Sequence, residues 1–190
     1  MEDPNKFISD VKKILKQDGI LVIQQNYLAE MLKQNAFDNI VHEHLEYYSL
    51  LSLSNLLARH DLEVFDVELR DLNGGSFRTY ISRKGIRKIT SDVGEMKNRE
   101  QKLNFNNKTV YLNFSKRIIN NKIALINFIK KEIKNDKRVY VYGASTRGNT
   151  LLQYFGLNNK LIKKAVERNS EKWGKKIASV GIPIISEEQA

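Results

Sequence analysis

Three stretches of the 190-residue chain carry side chains able to do chemistry. The first is His42-Glu43-His44. An imidazole ionises near neutrality, so it suits proton abstraction beside a carbonyl, and a neighbouring carboxylate can orient it. In an extended segment His42 and His44 point one way and Glu43 the other; in a tight turn all three can line one cleft. Two imidazoles also begin a metal site, but only His60 remains as a third and there is no cysteine. No metal is expected with so few ligands. A purely structural histidine loop is the plainer alternative.

The second stretch is Gly74-Gly75-Ser76-Phe77-Arg78. A hairpin turn already explains the glycines. The functional reading adds the Ser76 hydroxyl and the Arg78 guanidinium as contacts for an oxyanion or a phosphate. The third runs from Tyr142 to Thr150, YGASTRGNT. Small residues let a ligand approach the backbone, and amides at the start of a following helix favour an anion. Packing of a strand-to-helix turn accounts for the same residues, and the stretch is neither a full dinucleotide fingerprint nor a P-loop. Glu167 closes the next expected strand, where an acidic side chain can meet a ribose hydroxyl.

The elements that must position these residues follow from periodicity. Pro4–Gln17 reads as an amphipathic helix, with Phe7, Ile8, Val11, Ile14 and Leu15 at helical spacing. Asp18-Gly19 stops it, and Ile20–Ile23 reads as a short buried strand. A short helix is expected over Tyr27–Gln34, and another, capped by Ser52 or Ser54, running to His60. Leu62–Arg70 and Ser76–Ser82 alternate as strands about a turn at Asn73-Gly74-Gly75, an antiparallel hairpin. Tyr111 to Ile129 fit a long helix with a broad apolar stripe, in a helical segment spanning roughly 87–134. Arg138–Tyr142 is then a strand, Gly143–Gly148 a turn, Asn149–Phe155 a helix, and Leu161–Glu167 and Ile182–Ile185 further strands. The fold class is α/β: the last third of a doubly wound sheet ending in an antiparallel pair, then a helical connector, then a second partial α/β unit.

Composition narrows the function. With 41% hydrophobic residues, two prolines and no cysteine, the chain is neither disordered nor disulfide-built. No apolar run approaches the roughly 20 residues that span a bilayer. The acidic, polar start is no signal peptide, so a cytoplasmic protein without membrane contact is expected. The net charge of +10 is uneven: residues 1–80 hold 8 Lys+Arg against 13 Asp+Glu, and residues 81–190 hold 24 against 9. The basic half suits an anion such as a nucleotide diphosphate, or a nucleic acid, with a solvated lysine-rich surface as the plain alternative.

Four motifs occur in one order: AFDNIVHEHLEYYS over residues 36–49, then GGSFR, YGASTRGNT and Glu167-Arg168-Asn169. Over nearly the whole chain this series resembles the nucleotide-sugar C-methyltransferases, from late in their methyltransferase domain into their C-terminal domain. The resemblance implies a Rossmann-like class I methyltransferase sheet over residues 1–86, a connector over 87–136 and a partial nucleotide-sugar-binding domain over 137–190. It implies transfer of a methyl group from S-adenosylmethionine to a carbon beside the ketone of a nucleoside-diphosphate deoxysugar, a step of deoxysugar biosynthesis. His44 matches the base, Glu43 an orienting carboxylate, and His42 completes the motif. Arg147, Gly148 and Asn149 match a region that contributes to nucleotide-sugar binding. The sequence departs from the family pattern at Val41, where a tyrosine is usual, with Tyr47 and Tyr48 the nearby phenols. It departs also at Glu167, where aspartate is common, and at Ala178-Ser179-Val180, in place of Pro-Gly-Thr.

The cysteine-rich zinc domain and the glycine-rich adenosylmethionine loop have no counterpart among these residues. The expectation is therefore a chain that begins inside one domain and stops early in another, with a separate chain supplying the adenosylmethionine-binding half. A non-catalytic module that binds a nucleotide sugar or a partner subunit is the alternative. Nucleic-acid binding rests on charge alone, without interleaved aromatics, and is not expected.

Overall fold

A computed structural model describes residues 2–72 and 74–190; Asn73 of the expected turn lies outside the described residues. The architecture is α/β, with two three-stranded sheets. The chain gathers into two compact units, one of residues up to Ala36 with His42–Phe114, the other of Phe37–Val41 with Ser115–Ala190. Among the described residues no helix is long and apolar enough to cross a membrane.

In the first unit, helix α1 (Pro4–Ile14) starts where Asp3 accepts the Lys6 amide at 2.9 Å and proline occupies the first turn. It stops short of Gln17 because Leu15 turns extended. Strand β1 (Leu21–Asn26) and helix α2 (Leu28–Gln34) follow, and Asn35 ends α2 in the left-handed region at φ 55°. Strands β2 (Leu62–Arg70) and β3 (Ser76–Arg83) form the expected hairpin. β3 lies between β1 and β2, antiparallel to both, with Gln24, Arg78 and Glu68 in one row across the sheet. Alternation puts Phe77 and Ile81 into the core with Leu62, Val64, Val67 and Ile8. Gly75, at φ +98°, is required: a Cβ there would sit 2.4 Å from the Glu30 Cβ.

Helix α3 (Leu50–Ala58) is capped by Ser49, not by Ser52 or Ser54. Ser49 Oγ accepts the Ser52 amide at 3.1 Å, and Ser52 Oγ accepts the Ser49 amide at 2.9 Å, so Ser52 serves as the third-position partner of a capping box. The remaining two amides of that first turn are met from a distance. Glu100, 1% exposed, accepts Leu50 N–H at 2.6 Å and Leu51 N–H at 2.8 Å. It comes from helix α4 (Ser91–Leu103), whose Val93 and Met96 join the same core.

The helical segment expected over 87–134 is two helices. Asn104 adopts φ 50° and ends α4, and Asn107 accepts the Thr109 amide to start α5 (Lys108–Lys134). In the second unit, β4 (Tyr140–Tyr142), β5 (Lys164–Val166) and β6 (Ile184–Ile185) form a parallel sheet in sequence order. They are shorter than their apolar runs because only residues toward the C-terminal end of each run pair. Helix α6 (Thr146–Phe155) begins three residues earlier than expected. Ser145 Oγ accepts the Gly148 amide at 3.1 Å, which draws Thr146, Arg147 and Gly148 into the first helical turn.

Removing the Glu100 carboxylate strands two amides of α3 and leaves a void. Glu100→Ala should lower unfolding stability by about 3 kcal/mol, with a smaller loss for Glu100→Gln. A urea midpoint shift at unchanged slope checks it.

Candidate functional site

The His42–His44 loop is fixed at its two ends and open in the middle. Its stem is a single 3-10 turn, Phe37–Asn39, prolonged by Ile40 N–H to Phe37 O at 2.8 Å and Val41 N–H to Asn39 O at 3.0 Å. Its far end is tied where Tyr48 bridges Tyr27 and the Leu28 amide donates to Tyr48 O at 3.0 Å. Ser49 then caps α3. Between these ties, residues 42–46 are all exposed.

The turn brings two of the three expected residues together. His42 Nε2 lies 3.9 Å from Glu43 Oε1, with the side chains 88% and 68% exposed. The ring of His44 instead meets Tyr47 edge-on, centroids 6.5 Å apart. Glu43 is thus the neighbour of His42, and Tyr47 the neighbour of His44. Tyr48 is engaged elsewhere: its hydroxyl donates to Glu46, and burial, then that hydrogen bond, push its pKa above the ordinary phenol range. Of the two phenols near the motif, Tyr47 is the one beside the imidazole of His44.

Each of the five expected substrate contacts has an internal partner. Ser76, 3% exposed, donates its hydroxyl to Arg70 O at 3.3 Å and so braces the hairpin. Arg78 Nε donates to Gln24 Oε1 at 2.9 Å on the sheet face opposite the core. Arg147 Nε pairs with Asp38 Oδ2 at 2.7 Å. The Gly148 amide is held by Ser145, and Asn149 Oδ1 accepts Gln153 Nε2 at 2.9 Å.

Glu167 has a different occupation from the ribose contact expected of it. One oxygen accepts the Ala144 amide at 2.8 Å and the other the Asn169 amide at 3.1 Å, with Lys172 Nζ 3.5 Å away. Those amides, Asn169 first and then Ala144, hold the carboxyl below the ordinary carboxylate range. Lys172 also donates to Ala144 O at 3.0 Å, so the loop after β4 is clasped on both its backbone groups. Beside it a recess of about 280 Å³ is lined by Ser145, Thr146, Asn149, Lys172, Lys175 and Lys176.

The cofactor implied by the resemblance can be tested against these residues. In the first unit the β1-to-α2 connection is Tyr27 alone, without glycine, and Tyr27 is 1% exposed. In the second, the Ala144 and Gly148 amides are taken by Glu167 and Ser145. The first connection has no glycine-built amide cradle for a methionine carboxylate or a ribose, and in the second two amides of the turn are already held. The described residues therefore do not make a complete S-adenosylmethionine site. Among them, no group of three His, Asp or Glu side chains converges as metal ligands would.

The residues that sequence reading passed over are Asp38, Glu100 and Glu187, which accepts from Arg168 Nε at 2.9 Å and from the Tyr142 hydroxyl. All act over long sequence separations, so no local pattern announces them. Glu100 alone left a trace, recurring with Val93 and Met96 on one helix face.

Comparison with known proteins places this geometry. Residues 71–190 match the family model described as C-methyltransferase C-terminal domain. The C-methyltransferase NovU of Streptomyces niveus is 32% identical over 189 residues, which is 99% of this chain and 45% of that protein. The chain thus spans less than half the length of that relative.

Because Glu167 is depressed in the folded state, its hold on the loop is present above the ordinary carboxylate range and is lost as pH falls through its folded value. Glu167→Ala should speed exchange of the Ala144 and Asn169 amides about tenfold at neutral pH. In the wild type the same change should emerge only in acid, and amide exchange followed by NMR reads both.

Proposed function

The chain belongs to the C-methyltransferase family, and from that premise we propose that it carries the proton-abstracting and nucleotide-sugar-binding part of an S-adenosylmethionine-dependent enzyme that methylates a carbon beside the ketone of a nucleoside-diphosphate deoxysugar. On this reading residues 1–86 are the end of a Rossmann-like class I methyltransferase domain. The antiparallel β3 between β1 and β2 supports that assignment. Residues 87–136 are its connector and 137–190 a partial nucleotide-sugar-binding domain, supported by the parallel β4-α6-β5 unit.

One observation carries the proposal: His44 stands exposed in a loop tied at both ends, with a phenol against its ring. A proton on the carbon next to a ketone is acidic because its loss leaves an enolate. In the proposed step an imidazole nitrogen of His44 takes the proton, the C–H electron pair becomes the enolate double bond, and the charge moves to the ketone oxygen. Tyr47 is the proposed donor to that oxygen, in the part the family pattern gives to a tyrosine at position 41, and its contact with the His44 ring supports this. Glu43 is the proposed support of the His42 imidazole, and within the second unit Asn149, on the lysine-lined recess, is the proposed contact with the nucleotide sugar. Since the described residues do not complete an adenosylmethionine cradle, no step is routed through that cofactor.

Proton abstraction can be measured without a methyl donor. In heavy water, the chain should catalyse exchange of the hydrogen beside the ketone of a nucleoside-diphosphate keto-deoxysugar, read as loss of its proton NMR signal. His44→Ala should slow that exchange by about 10²–10⁴-fold at an unchanged melting temperature. An unchanged rate in the folded variant would move the base to His42. No exchange by the wild type would favour the non-catalytic binding module.

A further inference from the structure

The recess beside the turn after β4 belongs wholly to the second unit, and its polar groups are lopsided. Ser145, Thr146 and Asn149 line it from the start of α6, and Lys172, Lys175 and Lys176 from the segment before β6. No carboxylate lines it.

Its acceptors are already in use. The Ala144 carbonyl takes Lys172 Nζ at 3.0 Å, and the Ser145 carbonyl takes the Asn149 amide at 2.9 Å. Ser145 Oγ takes the Gly148 amide at 3.1 Å, and Asn149 Oδ1 takes Gln153 Nε2 at 2.9 Å. The Lys175 carbonyl takes the Ile184 amide at 2.9 Å.

Its donors are open. Asn149 uses only its side-chain oxygen, which leaves the N–H groups of that amide. Lys172 is compensated by Glu167 at 3.5 Å, whereas the ammonium groups of Lys175 and Lys176 meet no acceptor among the described residues. The backbone beneath those two lysines is fixed. Lys176 bridges Pro183, and Ile177 N–H donates to Ile182 O at 2.8 Å.

A site that offers N–H donors and positive charge, with its acceptors occupied, suits a ligand made of acceptors. Sugar hydroxyls donate as well as accept, and a cation would be repelled. An ionised phosphate only accepts. Size narrows the choice further. A pocket for a whole drug-sized ligand encloses about 300–1,000 Å³. At about 280 Å³ this recess takes part of a nucleotide sugar, and the diphosphate is the anionic part.

We propose that this recess is the diphosphate subsite, with Lys175 and Lys176 supplying the charge and Asn149 a directed N–H. The assignment rests on reading a nucleotide sugar as the substrate. It gives recognition of charge to two lysines that no sequence motif announces. Arg147, expected in that part, has its Nε paired with Asp38.

Inorganic pyrophosphate probes the subsite without a sugar or a base. Titrated into the full 190-residue chain and followed by amide NMR, it should shift Thr146, Asn149 and Lys176. Lys175→Ala and Lys176→Ala should each weaken its binding about tenfold, the effect of losing a charge-assisted hydrogen bond. Lys131→Ala removes the same charge from the exposed side of α5 and should weaken it less than about twofold. All three lysines are exposed, so melting temperatures should not move. Equal weakening by Lys131→Ala, or shifts scattered along α5, would overturn the proposal in favour of diffuse attraction to a basic surface. No binding by the wild type would overturn it outright.

The heavy-water assay separates this proposal from the reading beneath it. Both recess variants should raise the half-saturating substrate concentration about tenfold and leave the saturating rate within about twofold. Exchange unaffected in either respect would overturn the subsite while the catalytic reading stands. If the wild type fails to exchange the sugar proton, the catalytic reading falls. Displacement of pyrophosphate by the nucleoside-diphosphate sugar then decides the subsite: competition supports it, and independent binding overturns it.

Discussion

A buried carboxylate organises the first unit. Glu100 is 1% exposed, and an unmatched charge there would cost several kcal/mol. It is matched by two amides at the start of α3, where the helix dipole also favours an anion. That bond fixes α4 against α3, and with α3 the serine cap at Ser49 and the end of the histidine loop. Tyr27 belongs to the same cluster. Its ring packs on Phe77 at 5.0 Å, its backbone bridges Tyr48, and burial, with the Glu100 charge next, holds its phenol above the ordinary range.

A loop meant to meet a substrate must be exposed, and an exposed chain segment is ordinarily mobile. Here the conflict is resolved at the ends. Residues 42–46 face solvent, while the Ile40 and Val41 amides before them and the Ser49, Leu50 and Leu51 amides after them are bonded. The second unit treats its own loop differently. Glu167 and Lys172 clasp the turn after β4 at an amide and a carbonyl, so its shape does not wait for a ligand. The turn after β4 thus presents its polar groups from a pre-set backbone, the arrangement that lowers the entropy cost of binding.

Much of this was legible in the amino-acid sequence where the physics is local. Alternation and the glycine turn located β2 and β3, and the apolar stripe located α5. Helix starts were misplaced where serines compete. Ser52 reads as a cap, yet it is the partner of Ser49, and Ser145 reaches forward to Gly148 and starts α6 early. The His42–His44 loop was visible as residue types but not as geometry. Nothing local says that Glu43 would neighbour His42, or that Tyr47 would neighbour His44. Arg147 read as a ligand contact because its partner, Asp38, is 109 positions away. Glu100 drew no notice in the sequence, although its place on the Val93 and Met96 face was the cue to burial.

The central claim is that the solvent-exposed His42–His44 loop is tied down by ordered flanks and open between them. Backbone hydrogen exchange of the unliganded chain, resolved by residue from 37 to 51, tests it most directly. The account predicts slow exchange at Ile40 and Val41, free exchange over residues 42–46, and slow exchange again at Leu50 and Leu51, with contrasts of at least about a hundredfold. Uniformly fast exchange across the whole segment would contradict it.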